Sequence, residues 1–131
     1  MSDTKPTLAV IGGTGDLGTG LARRWAKAGY SLVIGSRTAD KAEAAAAALA
    51  DIATGAKPKG MANRQAAEAA EVVVLTVPFA TAPAVLDDIK PVVQGKLFID
   101  TTVPLMPPRV ARVQLPPEGC AAVLSQSRLG E

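Results

Sequence analysis

Histidine is missing from this chain of 131 residues, and Cys120 is its single cysteine. The sequence therefore excludes an internal disulfide and a metal site built from histidine and cysteine ligands. It also excludes a Ser-His-Asp or Cys-His mechanism, because both need an imidazole as the general base. If the protein is an enzyme, we expect its chemistry to come from a bound cofactor. We predict no catalytic side chain and no metal.

Aromatic residues are scarce, at 3% of the chain, and the formal net charge is only +2. Surfaces that bind nucleic acid need clustered basic side chains, and single strands also need stacking aromatics. We therefore expect no nucleic-acid partner. No apolar run approaches the roughly 20 residues that span a bilayer, and the amino terminus lacks the pattern of a signal peptide. With the single cysteine, these absences predict a cytoplasmic protein without a membrane partner.

Five short apolar runs alternate with helical patterns along most of the chain. The runs do not alternate apolar with polar residues, which is typical of parallel strands buried on both faces. They lie at residues 8–11, 32–34, 60–62, 72–77 and 97–99. Helices are predicted between them at residues 17–28, 38–53, 63–70 and 80–89, with Thr38 and Asn63 as caps. The pattern predicts an α/β fold, a Rossmann-type doubly wound parallel sheet in a single domain.

The character of the sequence changes after residue 103. Neither a helix nor a central strand accommodates so many prolines, which are Pro104, Pro107, Pro108, Pro116 and Pro117. We expect a Rossmann domain at residues 1–103 and a proline-rich extension at residues 104–131. The extension is predicted to be a connector followed by the beginning of a helix at residues 118–129, with a second domain absent.

A glycine-rich turn lies between the first strand and the first helix. Its pattern is G-x-G-x-x-G, formed by Gly13, Thr14, Gly15, Asp16, Leu17 and Gly18. Gly13 is expected to permit the tight turn, Gly15 to let a diphosphate approach the backbone, and Gly18 to let the helix pack closely on the strand. The free N–H groups at the helix start attract an anion. The alternative is a glycine turn that packs well and binds no ligand.

Two rival nucleotide mechanisms fail on the same stretch of sequence. A Walker A loop needs a lysine after its second glycine, but Thr19 follows Gly18. A short-chain dehydrogenase needs a tyrosine four residues before a lysine, but Ile34 stands four residues after the single tyrosine, Tyr30. Asp16 is interpreted as a partner of the helix dipole and not as a catalytic group.

The end of the second strand indicates which dinucleotide is bound. NAD-selective folds place an acidic residue there to accept from the ribose 2′-hydroxyl, whereas residues 32–39 contain no carboxylate. Ser36, Arg37 and Lys41 instead offer a hydroxyl and two cations, which suit a 2′-phosphate. The residues therefore predict NADP. In the alternative, Arg37 and Lys41 are solvated surface charges.

These segments resemble the NADPH-dependent F420 reductases, also called F420:NADP oxidoreductases. The resemblance is carried by residues 11–18, 35–37 with Lys41, 60–63 and 72–78, and it extends through residues 118–122. It implies hydride transfer between NADP and the deazaflavin coenzyme F420, with Thr14 to Leu17, Ser36, Arg37 and Lys41 holding the phosphates. It further implies that Val77 and Thr81 line the nicotinamide side and that Val103 and Pro104 contact the deazaflavin.

Hydride transfer between two bound rings needs close approach in a dry pocket more than a protein acid or base. We expect both ligands to meet at the carboxyl ends of the strands, where the loops after Val77 and Thr101 open. Asp100 at that edge is interpreted as a solvated or capping carboxylate and not as a base.

Relatives of this type continue into a smaller carboxyl-terminal domain that completes the F420 pocket. We therefore expect an incomplete form of the enzyme, as a homodimer or with a partner chain that supplies the missing domain. Two other interpretations stay open. In the first, the chain is a non-catalytic NADP-binding module. In the second, it is the nucleotide domain of an imine- or pyrroline-type reductase.

Overall fold

The computed structural model describes residues 5–104, 115–117 and 119–130, and its fold is a five-stranded parallel sheet with the strand order β3-β2-β1-β4-β5. The strands are β1 (Leu8–Ile11), β2 (Leu32–Ser36), β3 (Lys59–Ala62), β4 (Val72–Leu75) and β5 (Leu97–Asp100). The helices are α1 (Asp16–Lys27), α2 (Ala39–Ala47), α3 (Asn63–Ala69), α4 (Ala82–Val93) and α5 (Ala121–Leu129). The predicted doubly wound α/β sheet is confirmed.

The helices cover both faces of the sheet, which explains why the central strands are apolar throughout. Every residue of β1 and β2 is buried. One core cluster joins the sheet to α1 and α2, and a second joins it to α3, α4 and α5. β1 pairs with both β2 and β4, so the residue after Ile11 emerges at the centre of the sheet's carboxyl edge.

Several boundaries differ from those expected. α2 ends at Ala47 and not near Ala53, because the chain then enters turns closed by bonds such as that from the Leu49 N–H to the Ala46 carbonyl. The alanine-rich sequence has high helix propensity on either side of that point and does not mark the end. β4 stops at Leu75, two residues early, because Val77 and Pro78 turn away from the sheet into a cleft.

The fourth helix is also displaced from its prediction. A 3₁₀ turn at Phe79–Thr81 comes first, α4 begins at Ala82, and the helix continues past Pro91 to Val93. Pro91 is exposed and lies close to the helix end, where the lost backbone bond interrupts little. The buried side chain of Val93 keeps the last turn packed on the core.

α5 begins at Ala121, three residues after the predicted start, and packs on α4 and β5. Leu129 joins the core cluster of α3 and α4. The Gln94 side chain donates to the Leu129 carbonyl at 2.7 Å, and Arg128 forms a 2.9 Å ion pair with Asp87. The helix is therefore fixed to the Rossmann fold.

Pro107 and Pro108 of the predicted connector lie outside the described residues. Within the described ranges, no helix has the length and apolar character needed to cross a membrane.

Candidate functional site

A cleft of about 470 Å³ opens at the carboxyl ends of β1, β2 and β4. This is the edge at which open parallel sheets bind ligands, beside the point where the strand order reverses. Seven of the thirteen predicted site residues line it, namely Thr14, Gly15, Ser36, Arg37, Lys41, Val77 and Thr81. The cleft is also lined by six residues that the prediction does not include, Gly12, Thr38, Asn63, Thr76, Pro78 and Val85.

We expected Gly13 to form the tight turn after β1, but Gly12 forms it. Gly12 has a positive φ of 76°, and a Cβ there would clash with the Val77 side chain. The N–H groups of both glycines donate to the Gly35 carbonyl at 3.0 Å, which holds the turn against β2. Gly13 is needed for packing instead, because its Cβ would lie 2.9 Å from the Ile34 side chain and from the Val10 carbonyl oxygen.

The other two glycines of the pattern have the geometry that was predicted for them. A Cβ on Gly18 would lie 2.7 Å from the Gly13 Cα, so the first turn of α1 packs directly on the glycine turn. Above Gly15 there is open space, since a Cβ there meets only the Gly12 carbonyl oxygen at 3.8 Å. Gly15 is thus not required for internal packing, and its bare backbone faces the cleft.

The start of α1 has unpaired backbone donors directly after Gly15, which lines the cleft. Gly15 is the N-cap and has no side chain to bond them, and the first N–H groups of a helix have no partner within it. The positive end of the helix dipole lies there too. Asp16 and Leu17 are exposed in this first turn, with Leu17 half exposed at 50%, and neither lines the cleft.

Two cations follow β2 on the other side of the cleft. Arg37 and Lys41 are exposed and line it, and within the described ranges neither forms an ion pair. The Ser36 hydroxyl is buried and accepts from the Thr38 N–H at 3.4 Å. Thr38 is the N-cap of α2, as predicted, although its side chain makes no capping hydrogen bond. The cleft therefore has a concentrated positive charge at the end of β2.

The opposite wall, after β4, is mainly apolar. Val77, Pro78 and Val85 line it, and the Thr81 hydroxyl donates to the Pro78 carbonyl at 3.0 Å. Val103 is 49% exposed and Pro104 is buried, and neither of them lines the cleft. The structure therefore brings Val77 and Thr81 to the predicted site but leaves Val103 and Pro104 beyond the end of β5.

Asp100 has the capping role that was expected. One carboxylate oxygen accepts from the N–H and the hydroxyl of Thr102 at 2.8 and 2.7 Å. The other accepts from the hydroxyl of Ser125 at 2.5 Å. Both oxygens are thus used to hold the loop after β5 against α5.

Asn63 was predicted to cap α3, and the structure gives it a different role. It is the first residue of α3 and not its N-cap, which is Ala62. Its side chain is only 5% exposed, and its Oδ1 atom accepts from the Gly12 N–H at 3.3 Å. The asparagine before a helix suggested a local cap, whereas the actual partner lies 51 residues earlier in the chain.

The residues of the cleft fit a phosphorylated dinucleotide. Candidate anion contacts are the open backbone at Gly15, the free N–H groups at the start of α1 and the two cations after β2. The apolar wall after β4 suits a flat ring, and the volume lies in the range of small-molecule sites, about 300–1,000 Å³. Fold and cleft together define a Rossmann-type domain whose cleft has the chemistry that a dinucleotide requires.

Comparison with known proteins places this domain in a family. The model of the family "NADP oxidoreductase coenzyme F420-dependent" matches residues 7–104. The chain therefore belongs to the F420-dependent NADP oxidoreductase family. It is 50% identical over 100 residues to the F420-dependent NADP reductase of Methanothermobacter marburgensis, covering 75% of this chain and 45% of the relative. It is 35% identical to the enzyme of that name from Methanocaldococcus jannaschii, covering 95% of this chain and 58% of the relative.

Solved structures share the fold. A crystal structure from Arthrobacter sp. FB24, assigned to the F420-dependent NADP reductases, superposes with a TM-score of 0.80 at 24% identity over 97% of this chain and 60% of that one. Plasmodium falciparum pyrroline carboxylate reductase with NADP bound superposes with a TM-score of 0.59 at 21% identity, covering 83% of this chain and 38% of that one. The chain thus spans about half the length of the relatives that it matches.

Proposed function

We propose that this chain supplies the NADP-binding half of an F420-dependent NADP reductase. The observation that carries the proposal is the arrangement of the bare glycine turn and the two cations, Arg37 and Lys41, along one cleft of a chain in this family. When bound, NADP supplies the hydride chemistry, and the protein contributes binding and orientation. The absence of histidine from the chain is consistent with such a division of work.

Each group of site residues has a task in this proposal. The turn formed by Gly13, Thr14 and Gly15, with the N–H groups of Asp16, Leu17 and Gly18, binds the diphosphate. Ser36, Arg37 and Lys41 bind the 2′-phosphate, and Arg37 supplies the planar fork that phosphate prefers. Val77 and Thr81 exclude water from the nicotinamide side.

The deazaflavin side is the less complete part of this site. We place it beyond the end of β5, at Val103 and Pro104, next to the apolar wall of the cleft. The proposed division of the chain is a nucleotide domain at residues 1–103 and a connecting segment at residues 104–131. A second copy of the chain or a partner chain then supplies the remaining wall of the F420 site. We further propose that the protein works in the cytoplasm on small molecules and binds neither nucleic acid nor membrane.

A second function is favoured by the position of Val103 and Pro104 outside the cleft. In that case the chain binds NADP without hydride transfer, as a module that senses or stores the dinucleotide. The glycine turn and the two cations that line the cleft support such binding.

Two titrations separate these functions. Calorimetry with NADP, followed by F420, measures which ligands the purified chain binds. The absorbance of reduced F420 in the presence of NADP then reports hydride transfer. Binding of both ligands with loss of that absorbance supports the reductase, and NADP binding alone at every protein concentration supports the module. The absence of NADP binding contradicts both.

A further inference from the structure

The side chain of Asn63 crosses the end of β2 to reach the glycine turn. Its Oδ1 atom accepts a hydrogen bond from the Gly12 N–H at 3.3 Å, which also donates to the Gly35 carbonyl. A Cβ on Gly35 would lie only 2.7 Å from that Oδ1 atom. Glycine at position 35 therefore provides the space in which the asparagine lies. One buried side chain thus connects α3, β2 and the turn after β1.

The amide nitrogen of Asn63 has a different environment. The Gly12 N–H is a donor, so the atom facing it must be the amide oxygen, and Nδ2 points the other way. No hydrogen bond between described residues uses Nδ2. The described part of the chain also has no fully buried side-chain nitrogen that lacks a partner. Nδ2 is therefore at least partly exposed, and Asn63 is one of the residues that line the cleft.

The position of Asn63 indicates which part of a dinucleotide the protons on Nδ2 face. The residue packs against Gly35, directly before Ser36 and Arg37, and so lies at the ribose end of the cleft. An uncharged donor at this point is compatible with a 2′-phosphate. A carboxylate of the same shape would repel it and would accept from the 2′-hydroxyl of NAD, as the acidic residue of NAD-selective folds does.

We propose that Asn63 is a specificity-determining residue for the dinucleotide, with two separate tasks. Its amide oxygen fixes the Gly12 N–H and hence the glycine turn. Its amide nitrogen donates to the adenosine ribose end of the dinucleotide, at the 2′-phosphate. The inference rests on the proposed binding of NADP. It adds Asn63, on α3, to the residues after β2 that are proposed to select NADP over NAD.

The substitution Asn63→Asp separates the two tasks, because aspartate keeps an oxygen for the Gly12 N–H but loses both amide protons. We expect the affinity for NADP to fall at least about tenfold, the scale of a lost hydrogen bond to a charged group, and that for NAD to change less than about threefold. Asn63→Ala removes both tasks and should weaken both ligands. Gln65→Glu is the matched control, since it adds the same charge on an exposed position of α3.

Calorimetry with NADP and NAD on the four proteins gives the outcome. The melting temperature is measured without ligand. If Asn63→Asp keeps the wild-type value and Asn63→Ala lowers it, the result supports the role of the amide oxygen in holding the Gly12 N–H. An unchanged ratio of NADP to NAD affinity in Asn63→Asp overturns the inference while leaving the proposed function intact. Equal weakening of both ligands in that variant also overturns it and assigns Asn63 to the diphosphate. If the wild-type chain binds no NADP, the proposed function itself fails, and this inference fails with it.

Discussion

A Cβ atom on Gly18 would lie 2.7 Å from the Oγ1 atom of Thr76, which itself donates a buried 2.8 Å hydrogen bond to the Ile11 carbonyl. The helix that begins at the cleft is thus in direct contact with the residue at which β4 leaves the sheet. A glycine at this point brings the end of β4, the glycine turn and the helix start together. The geometry of the proposed anion site depends on this contact.

We expect Gly18→Ala to separate α1 from the turn, because the added methyl group meets the Gly13 backbone and the Thr76 hydroxyl. Overpacking of this kind costs about 1–3 kcal/mol of unfolding free energy, and NADP binding should be lost with it. Urea unfolding and calorimetry measure the two effects.

The control is Gly20→Ala on the same helix. A Cβ on Gly20 meets only the end of the flexible Arg24 side chain, at 3.6 Å. Alanine is the better helix former, so this variant should gain about 0.5–1 kcal/mol and bind NADP as the wild type does. If both variants behave alike, close packing at Gly18 does not shape the site.

Arg37→Ala tests the selection of the phosphorylated ribose. Loss of a charge-assisted bond to phosphate should reduce the NADP affinity at least about tenfold, because such bonds contribute about 1.5–3 kcal/mol. The affinity for NAD should be nearly unchanged, since NAD has no phosphate at that position. Calorimetric titration of both dinucleotides measures the difference.

Arg23→Ala provides the comparison for that prediction, because Arg23 is an exposed arginine of α1 that does not line the cleft. It removes the same charge and should leave both affinities as they are. Equal weakening of NADP and NAD by Arg37→Ala would show that the arginine acts on the diphosphate or on the fold instead.

The hydrogen bond from Ser125 to Asp100 predicts that α5 stabilises the loop after β5. Ser125 is 3% exposed, and its hydroxyl is the link from the helix to that carboxylate. Ser125→Ala should lower the unfolding free energy by about 1.5 kcal/mol, the lower end for a bond to a charged group, because Asp100 is partly exposed. Amide hydrogen exchange in α5 should become faster.

Ser127→Ala is the paired variant for this helix, since among the described residues the Ser127 hydroxyl bonds only to the Leu124 carbonyl of its own helix. Its effect on stability should be within about 0.5 kcal/mol. A Ser125→Ala variant that unfolds at the same urea concentration as the wild type would show that α5 does not depend on Asp100.

The features predicted correctly from the sequence are those that have a local signal. Uninterrupted runs such as residues 72–75 indicate buried parallel strands, and the spacing of Gly15 and Gly18 identifies the turn and the helix start. The cations after β2 follow directly from their place in the sequence. This information was enough for the α/β fold and for the strand count, and more than half of the residues predicted for the site line the cleft.

The features missed depend on contacts between distant segments. Gly12 has the positive φ and lies against Val77, 65 residues later, and nothing in the string Gly12-Gly13 tells the two glycines apart. Asparagine is a residue type that often caps helices, but the Asn63 amide oxygen accepts from the backbone N–H of Gly12, which lies across the sheet. The end of α2 lies within a run of alanines that has no periodic signal of its own.

The most direct test of the account is a crystal structure of this chain grown with NADP. It should show the diphosphate beside the bare backbone of Gly15 and on the N–H groups of the first turn of α1, with the 2′-phosphate in hydrogen-bond contact with Arg37 and Lys41. NADP bound elsewhere, or bound here with its adenosine phosphate away from both cations, would contradict the account.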